Sequence, residues 1–245
     1  MILFAADAHG DFAPIIKAAD KASAIILLGD QEPEYDLIEE LGPVVAEKTW
    51  WIYGNHDSDD PIFIRHHHSM ATRNLHCRVA DIGGLKVTGL GGTFSPEILD
   101  VDFMTPLDMV GNIWPKLSRH LKLNTGEPRI PTALDLTTIF AEDILQLSRM
   151  AITEKIDVLV SHEAPESHPR GYQIIGDLAR VLGVKMLVHG HHHERYDAII
   201  DGGIRVVGVG LLGTPDMQTW TDEGLYWLDP ETLQHKLIKG PGFKP

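Results

Sequence analysis

Apolar residues in this chain gather in short, nearly uninterrupted runs: Ile2–Ala6, Ala24–Leu28, Thr49–Tyr53, Leu85–Leu90, Ile156–Val160 and Lys185–Val188. Their length and flanking glycines predict strands. Between the early runs the pattern turns helical, over Phe12–Ala22 with Pro14 acceptable in the first turn, and over Glu34–Glu47. Ile174, Ile175, Leu178, Val181 and Leu182 form one apolar helix face, and Gly183 stands at its end. Strand–helix alternation predicts βαβ units and a mainly parallel sheet, an α/β fold. Past Arg195 the texture changes. Tyr196–Ile200, Ile204–Val209, Leu225–Leu228 and Leu233–Ile238 read as hairpin strands separated by turn residues, and a second, more antiparallel sheet packed on the first accommodates them. Thr93–Thr138 carries Pro96, Pro106, Pro115, Pro128 and Pro131 and little apolar content. It is expected to be an insertion into one domain spanning residues 1–245.

The chemically informative residues stand directly after the runs. Ile2–Ala6 ends in Asp7-Ala8-His9-Gly10-Asp11, Ala24–Leu28 in Gly29-Asp30, and Thr49–Tyr53 in Gly54-Asn55-His56-Asp57. Ile156–Val160 ends in Ser161-His162, and Lys185–Val188 in His189-Gly190-His191-His192-His193. Ligands of open parallel sheets bind beyond the carboxyl ends of the strands. These strand ends would deliver Asp, His and Asn side chains into one crevice, a donor set suited to first-row metals. Singly, each motif has a bland reading as a turn or helix cap; together and in order they do not.

Composition narrows the partners. Acids number 35 against 21 bases, a formal charge of −14, and no basic run stands out. That argues against long nucleic acids and acidic membrane surfaces. A phosphate-bearing substrate would need positive charge from bound metal. No apolar run approaches the ~20 residues that span a bilayer, the start has no basic n-region, and Cys77 is the lone cysteine, so a cytoplasmic protein is expected.

The order Asp-x-His, Gly-Asp, Gly-Asn-His-Asp, His, Gly-His-x-His, running from Asp7 to His193, resembles that of the calcineurin-like metallophosphoesterases. The resemblance implies a two-sheet β-sandwich flanked by helices, four layers in the order αββα, with the metal site at strand carboxyl ends. It implies that Asp7, His9 and His193 bind one divalent transition metal and that Asn55, His162 and His191 bind another, with Asp30 bridging. Mn, Fe, Zn or Ni would suit such ligands, Mn being the first guess. His56 corresponds to the family's catalytic histidine, the proton donor, with Asp57 orienting it, and a metal-bridging hydroxide would be the nucleophile. A small phosphoester is the implied substrate, a phosphodiester slightly ahead of a monoester. Nucleotide phosphatase and nuclease are alternatives, the latter disfavoured by charge. Protein phosphatases share Asp-x-His-Gly, yet Gln31-Glu32-Pro33-Glu34 stands where they carry Asp-Arg-Gly. A non-catalytic scaffold on the same fold is the reading from another class, and the presence of His56 speaks against it.

Among the remaining histidines, His66-His67-His68 reads as a solvated loop, His189 as core, and His192 as pointing away from the metals. Arg65 and Arg170 read as surface residues near the motifs.

Overall fold

A computed structural model describes residues 1–94, 132–212 and 224–235. Most of the expected insertion, residues 95–131, together with residues 213–223 and 236–245, which include the end of the strand expected over Leu233–Ile238, lies outside the described residues.

Two sheets face each other. The first has strand order β11-β10-β1-β2-β3, from β1 (Ile2–Ala5), β2 (Ala24–Leu27), β3 (Thr49–Trp51), β10 (Leu225–Asp229) and β11 (Gln234–His235). The second has order β4-β5-β6-β7-β9-β8, from β4 (Val79–Ile82), β5 (Leu85–Leu90), β6 (Val158–Ser161), β7 (Met186–His189), β8 (Tyr196–Ile200) and β9 (Ile204–Gly208). β1, β2 and β3 pair in parallel, as do β5, β6, β7 and β9.

The alternation of side chains along each strand builds the layers. Ile2 and Phe4 of β1, Ala24 and Ile26 of β2, Val158 and Val160 of β6, and Met186 and Val188 of β7 all enter one buried layer between the sheets. Leu3, Ala5, Ile25 and Leu27 face the other way, onto helices α1 (Ala13–Ala18), α2 (Leu37–Leu41) and α3 (Pro43–Ala46). Leu159 and Leu187 face outward from the second sheet onto α6 (Ala141–Met150) and α7 (Gln173–Leu182). Two short helices, α4 (Pro61–His66) and α5 (Ala133–Leu136), are the other α-helices among the described residues. The four-layer αββα sandwich is therefore as expected, and only the assignment of strands to sheets is not. The six apolar runs divide three and three between two sheets, and the late hairpin strands extend both sheets instead of forming their own. Strands buried on both faces read alike whether their neighbour lies beside them or across a sandwich.

Other differences are local. The helix expected over Glu34–Glu47 breaks into α2 and α3 at Gly42, whose φ of 72° and ψ of 150° fit no helix, and Pro43 disfavours helical backbone in the residue before it. Phe12–Ala22 shortens to α1 and a 3-10 turn at Ala19–Lys21. β4, α4, α5 and α6 add to the predicted elements. Thr93 and Thr138, the two ends of the expected insertion, meet in an isolated parallel bridge. Among the described residues no helix is long and apolar enough to cross a membrane.

Candidate metal centre

The carboxyl ends of β1, β2 and β3 in one sheet and of β6 and β7 in the other open at the same edge of the sandwich. Of the eight non-glycine residues with left-handed backbone among those described, six lie here: Asp7, His9, Asp30, Glu32, His191 and His193, with φ from 43° to 73°. Such conformations cost about 1–3 kcal/mol each and persist where the surroundings hold them for a function. Close approach adds to the constraint. A Cβ on Gly54 would sit 2.1 Å from Asp30 Oδ1 and 2.6 Å from His162 Cε1, so only glycine lets the β3 loop lie against these two residues.

Two groups of donors result. Asp7, His9 and His193 bring one ligand atom each to within 4.8 Å of one another, and Asp30, His162 and His191 do the same. Asn55 joins the second group, its Oδ1 3.2 Å from His162 Nε2. Backbone bonds join the two groups: His9 N donates to the Asp30 carbonyl at 3.0 Å, and His191 N to both carboxylate oxygens of Asp7 at 3.1 and 3.2 Å.

Contacts behind these donors leave lone pairs pointing inward. His162 Nδ1 donates to the Leu28 carbonyl at 2.7 Å, which frees Nε2. His9 Nδ1 pairs with Glu32, so His9 Nε2 faces His193 Nε2 at 3.5 Å. Asp30 Oδ2 is buried with no hydrogen-bond donor, 3.3 Å from His162 Nε2. Ligands ~2.1 Å from a common cation stand about 3.0–3.4 Å apart along the edges of an octahedron or tetrahedron. The contacts at 3.2 and 3.3 Å fall in that range and the one at 3.5 Å lies just above it, and an orphaned buried carboxylate oxygen calls for a positive partner. The donor set fits a divalent metal at each group.

Electrostatics point the same way. Burial, with the nearby charge of Asp30, pushes the Asp7 carboxyl up to about 7. Burial alone would depress His162, yet the carboxylates of Asp30 and Asp7 carry it up to about 10. His191 falls to about 4 through burial and the charge of His162. Two buried carboxylates thus draw in whatever positive charge is available, here a proton on His162.

His56 and Asp57 separate. His56 is half exposed at the rim; its N–H donates to Asp30 Oδ1 at 2.8 Å, and its ring stands 5.5 Å from that of His9. The carboxylate that meets His56 Nδ1 is that of Asp59, at 2.7 Å. Asp57 is fully buried and turned inward. Its Oδ1 accepts from Gln31 N and Glu32 N, both at 2.9 Å, and its Oδ2 from Asp30 N at 3.1 Å and Gly54 N at 2.8 Å. The orienting contact expected of Asp57 is therefore corrected to Asp59, because Asp57 spends all its acceptors on the loops after β2 and β3. Burial and then Asp30 push the Asp57 carboxyl up, to about 7, against the pull of those amides.

Glu32, Asp59 and Glu163 join the site without a signal in the motifs. Asp59 could have been found from its spacing: it stands three residues after His56 within one tight 3-10 turn, which brings the two side chains together. His67 leaves its expected solvated loop. It is buried against Trp51 and Tyr53, with Nδ1 donating to the Phe63 carbonyl at 2.7 Å. His189 is core, its Nε2 2.7 Å from the Tyr196 hydroxyl. His192 does not point away as expected: it stacks on His168, ring centroids 4.0 Å apart, and its ring nitrogen groups with His191 and Glu163. Another cluster, His76, Cys77 and Asp143, is committed to hydrogen bonds: Gly91 N donates to His76 Nδ1, and His76 Nε2 meets Asp143 at 3.2 Å.

A family model described as calcineurin-like phosphoesterase matches residues 1–195. The chain belongs to the calcineurin-like phosphoesterase family. It is accordingly a metal-dependent phosphoesterase. An uncharacterized protein of Haemophilus influenzae is 36% identical over 231 residues, covering 89% of this chain and 94% of its own. Among solved structures, TT1561 of Thermus thermophilus superposes with a TM-score of 0.60 at 16% identity, covering 96% of each chain. A dimetal phosphatase from Danio rerio gives 0.52 at 11% identity, covering 86% of this chain and 87% of its own. At such identities these two likenesses speak to the fold.

Proposed function

We propose that this phosphoesterase hydrolyses small phosphoesters, a diester ahead of a monoester, with two divalent cations. Asp7, His9 and His193 would hold one, Asn55, His162 and His191 the other, with Asp30 between the two groups. The observation that carries this reading is the pair of donor groups with ligand-to-ligand spacings close to the edge lengths of metal polyhedra. Bound cations supply the charge that neutralises phosphoryl oxygens and makes water acidic enough to attack near neutral pH. Manganese suits the mixture of imidazole, carboxylate and amide oxygen.

The chain's own groups set direction and proton flow. Leu28 and Glu32 hold the ring tautomers of His162 and His9. His56, at the open rim, gives its proton to the departing oxygen as the bond from phosphorus to that oxygen breaks. Asp59 keeps Nδ1 engaged so that Nε2 carries the transferred proton, and the half-exposed ring regains a proton from solvent. Room beyond the phosphoryl group favours a diester: besides the exposed rim at His56, a cavity adjoins His191 and His193. The acidic surface keeps long polyanions away.

His56→Ala tests the assignment. It should retain both metals and lose about 10²–10³ in rate on alkyl esters, with a much smaller loss on nitrophenyl esters, whose leaving group departs unprotonated. Equal losses on both would remove His56 from the acid role.

A further inference from the structure

Beside the metal centre lies a cavity of about 490 Å³ lined by Glu163, Arg170, Tyr172, His191, His192 and His193. It is larger than a phosphoryl group needs and within the range of small-molecule sites. Its far wall is a rigid turn. Pro165 and Tyr172 bridge its ends, Tyr172 N donates to the Ala164 carbonyl at 2.9 Å, and Arg180 grips Glu166 with two bonds of 2.9 Å.

Two polar groups in this cavity are nearly buried: Glu163, whose Oε1 accepts from Ala164 N at 3.2 Å, and His192, whose ring keeps an open nitrogen. The Glu163 side chain is 3% exposed and that of His192 7%, and Glu163 Oε1 lies 3.4 Å from His192 Nε2. His192 Nε2 has no hydrogen-bond partner. A buried donor or acceptor left open is costly, and a ligand that satisfies it gains specificity. Stacking on His168 holds the His192 ring in place. The charges restrict what can enter. Arg170 and the neighbouring cations oppose an ammonium group, and the buried Glu163 carboxylate opposes a second anion. A neutral hydroxyl suits both, donating to Glu163 and accepting from His192 or Arg170.

We infer that this cavity is a subsite for a neutral, hydroxyl-bearing substituent of the phosphoester, of the glycerol or pentose type, with Glu163 and His192 as its specificity-determining pair. The inference deepens the hydrolase reading and rests on it for the position of the phosphoryl group.

Calorimetry on the metal-loaded protein tests it without turnover, using 3,4-dihydroxybutylphosphonate and butylphosphonate as probes. The diol should bind roughly tenfold more tightly, the scale of hydrogen bonds to a charged group. His192→Phe keeps the stack on His168 but cannot hydrogen-bond, and the gap should close; Glu163→Gln should narrow it. Equal affinities in the wild type, or a gap unchanged in His192→Phe, would overturn the subsite. So would loss of a third metal equivalent in Glu163→Gln, which would mark Glu163, His191 and His192 as a cation site. Parallel rates on the 4-nitrophenyl diesters of glycerol and propanol separate the two claims. A binding gap without hydrolysis would refute the hydrolase reading alone, and hydrolysis without a gap the subsite alone.

Discussion

Replacing Asp57 and Asp59 by asparagine separates the residue that builds the site from the one that serves its chemistry. In Asp57→Asn one carboxylate oxygen becomes an NH2 group. Whichever oxygen is lost, two backbone N–H groups lose their acceptor and face a donor instead: Gln31 and Glu32 on one side, Asp30 and Gly54 on the other. A buried donor left unsatisfied costs about 1–3 kcal/mol, so the change should destabilise the fold by about 4 kcal/mol, a large part of a typical ~5–15 kcal/mol stability. It should also weaken metal retention, since Asp30 and Asn55 ride on the loops it joins. Asp59→Asn leaves an acceptor oxygen for His56 but removes the charge from a contact between two solvated groups, 61% and 46% exposed, and should shift stability by less than about 1 kcal/mol. Its effect should fall on rate: roughly tenfold slower hydrolysis of alkyl esters, with nitrophenyl esters little changed. Urea unfolding of chelator-treated protein, tracked by the fluorescence of buried Trp51 and Trp227, gives the first quantity, and paired kinetics the second. An unaltered urea midpoint in Asp57→Asn would refute the clamp. Leaving-group selectivity that changes in Asp57→Asn but not in Asp59→Asn would return the orienting role to Asp57.

Two further predictions concern the frame. Gly54→Ala places a methyl group 2.4 Å from Asp30 N as well as against its carboxylate; elemental analysis should find the second metal lost, and a variant that keeps both metals and full stability would contradict the packing. His67 is buried and burial holds its pKa down to about 4. The folded state therefore binds fewer protons than the unfolded one below pH 6.5, and this contribution is lost as pH falls from 6.5 to 4. At ~1.4 kcal/mol per unit the loss is about 3 kcal/mol. His67→Gln should lack that part of the acid destabilisation in urea titrations, and an identical pH profile for both proteins would refute it.

How far the sequence carries depends on the kind of information. The donor groups that the structure brings together are legible because each donor comes directly after an apolar run, so a strand end and a chemical group are named together, as in Leu28-Gly29-Asp30 and Val160-Ser161-His162. Sheet membership is not, because runs such as Ile25–Leu27 and Leu159–Val160 are buried on both faces and carry no mark of their neighbours. β4 escapes notice because Val79–Ile82 includes a charged, exposed Asp81, as an edge strand permits. The exchange of roles between Asp57 and Asp59 is hidden because nearby carboxylates in one turn are chemically alike. Only the direction of the chain decides which meets backbone amides. His67 misleads because three consecutive histidines suggest solvent, whereas the helical backbone turns the middle one into the core.

Two cations held by these donors should serve phosphoester hydrolysis, and chelator-stripped protein titrated with Mn²⁺ and assayed on bis(4-nitrophenyl) phosphate reads this out. Activity should be absent at the start, rise with added metal and level off at two equivalents per chain, and in Asp30→Ala it should not recover. Hydrolysis that proceeds without metal, or a plateau at a single equivalent with Asp30→Ala fully active, would contradict it.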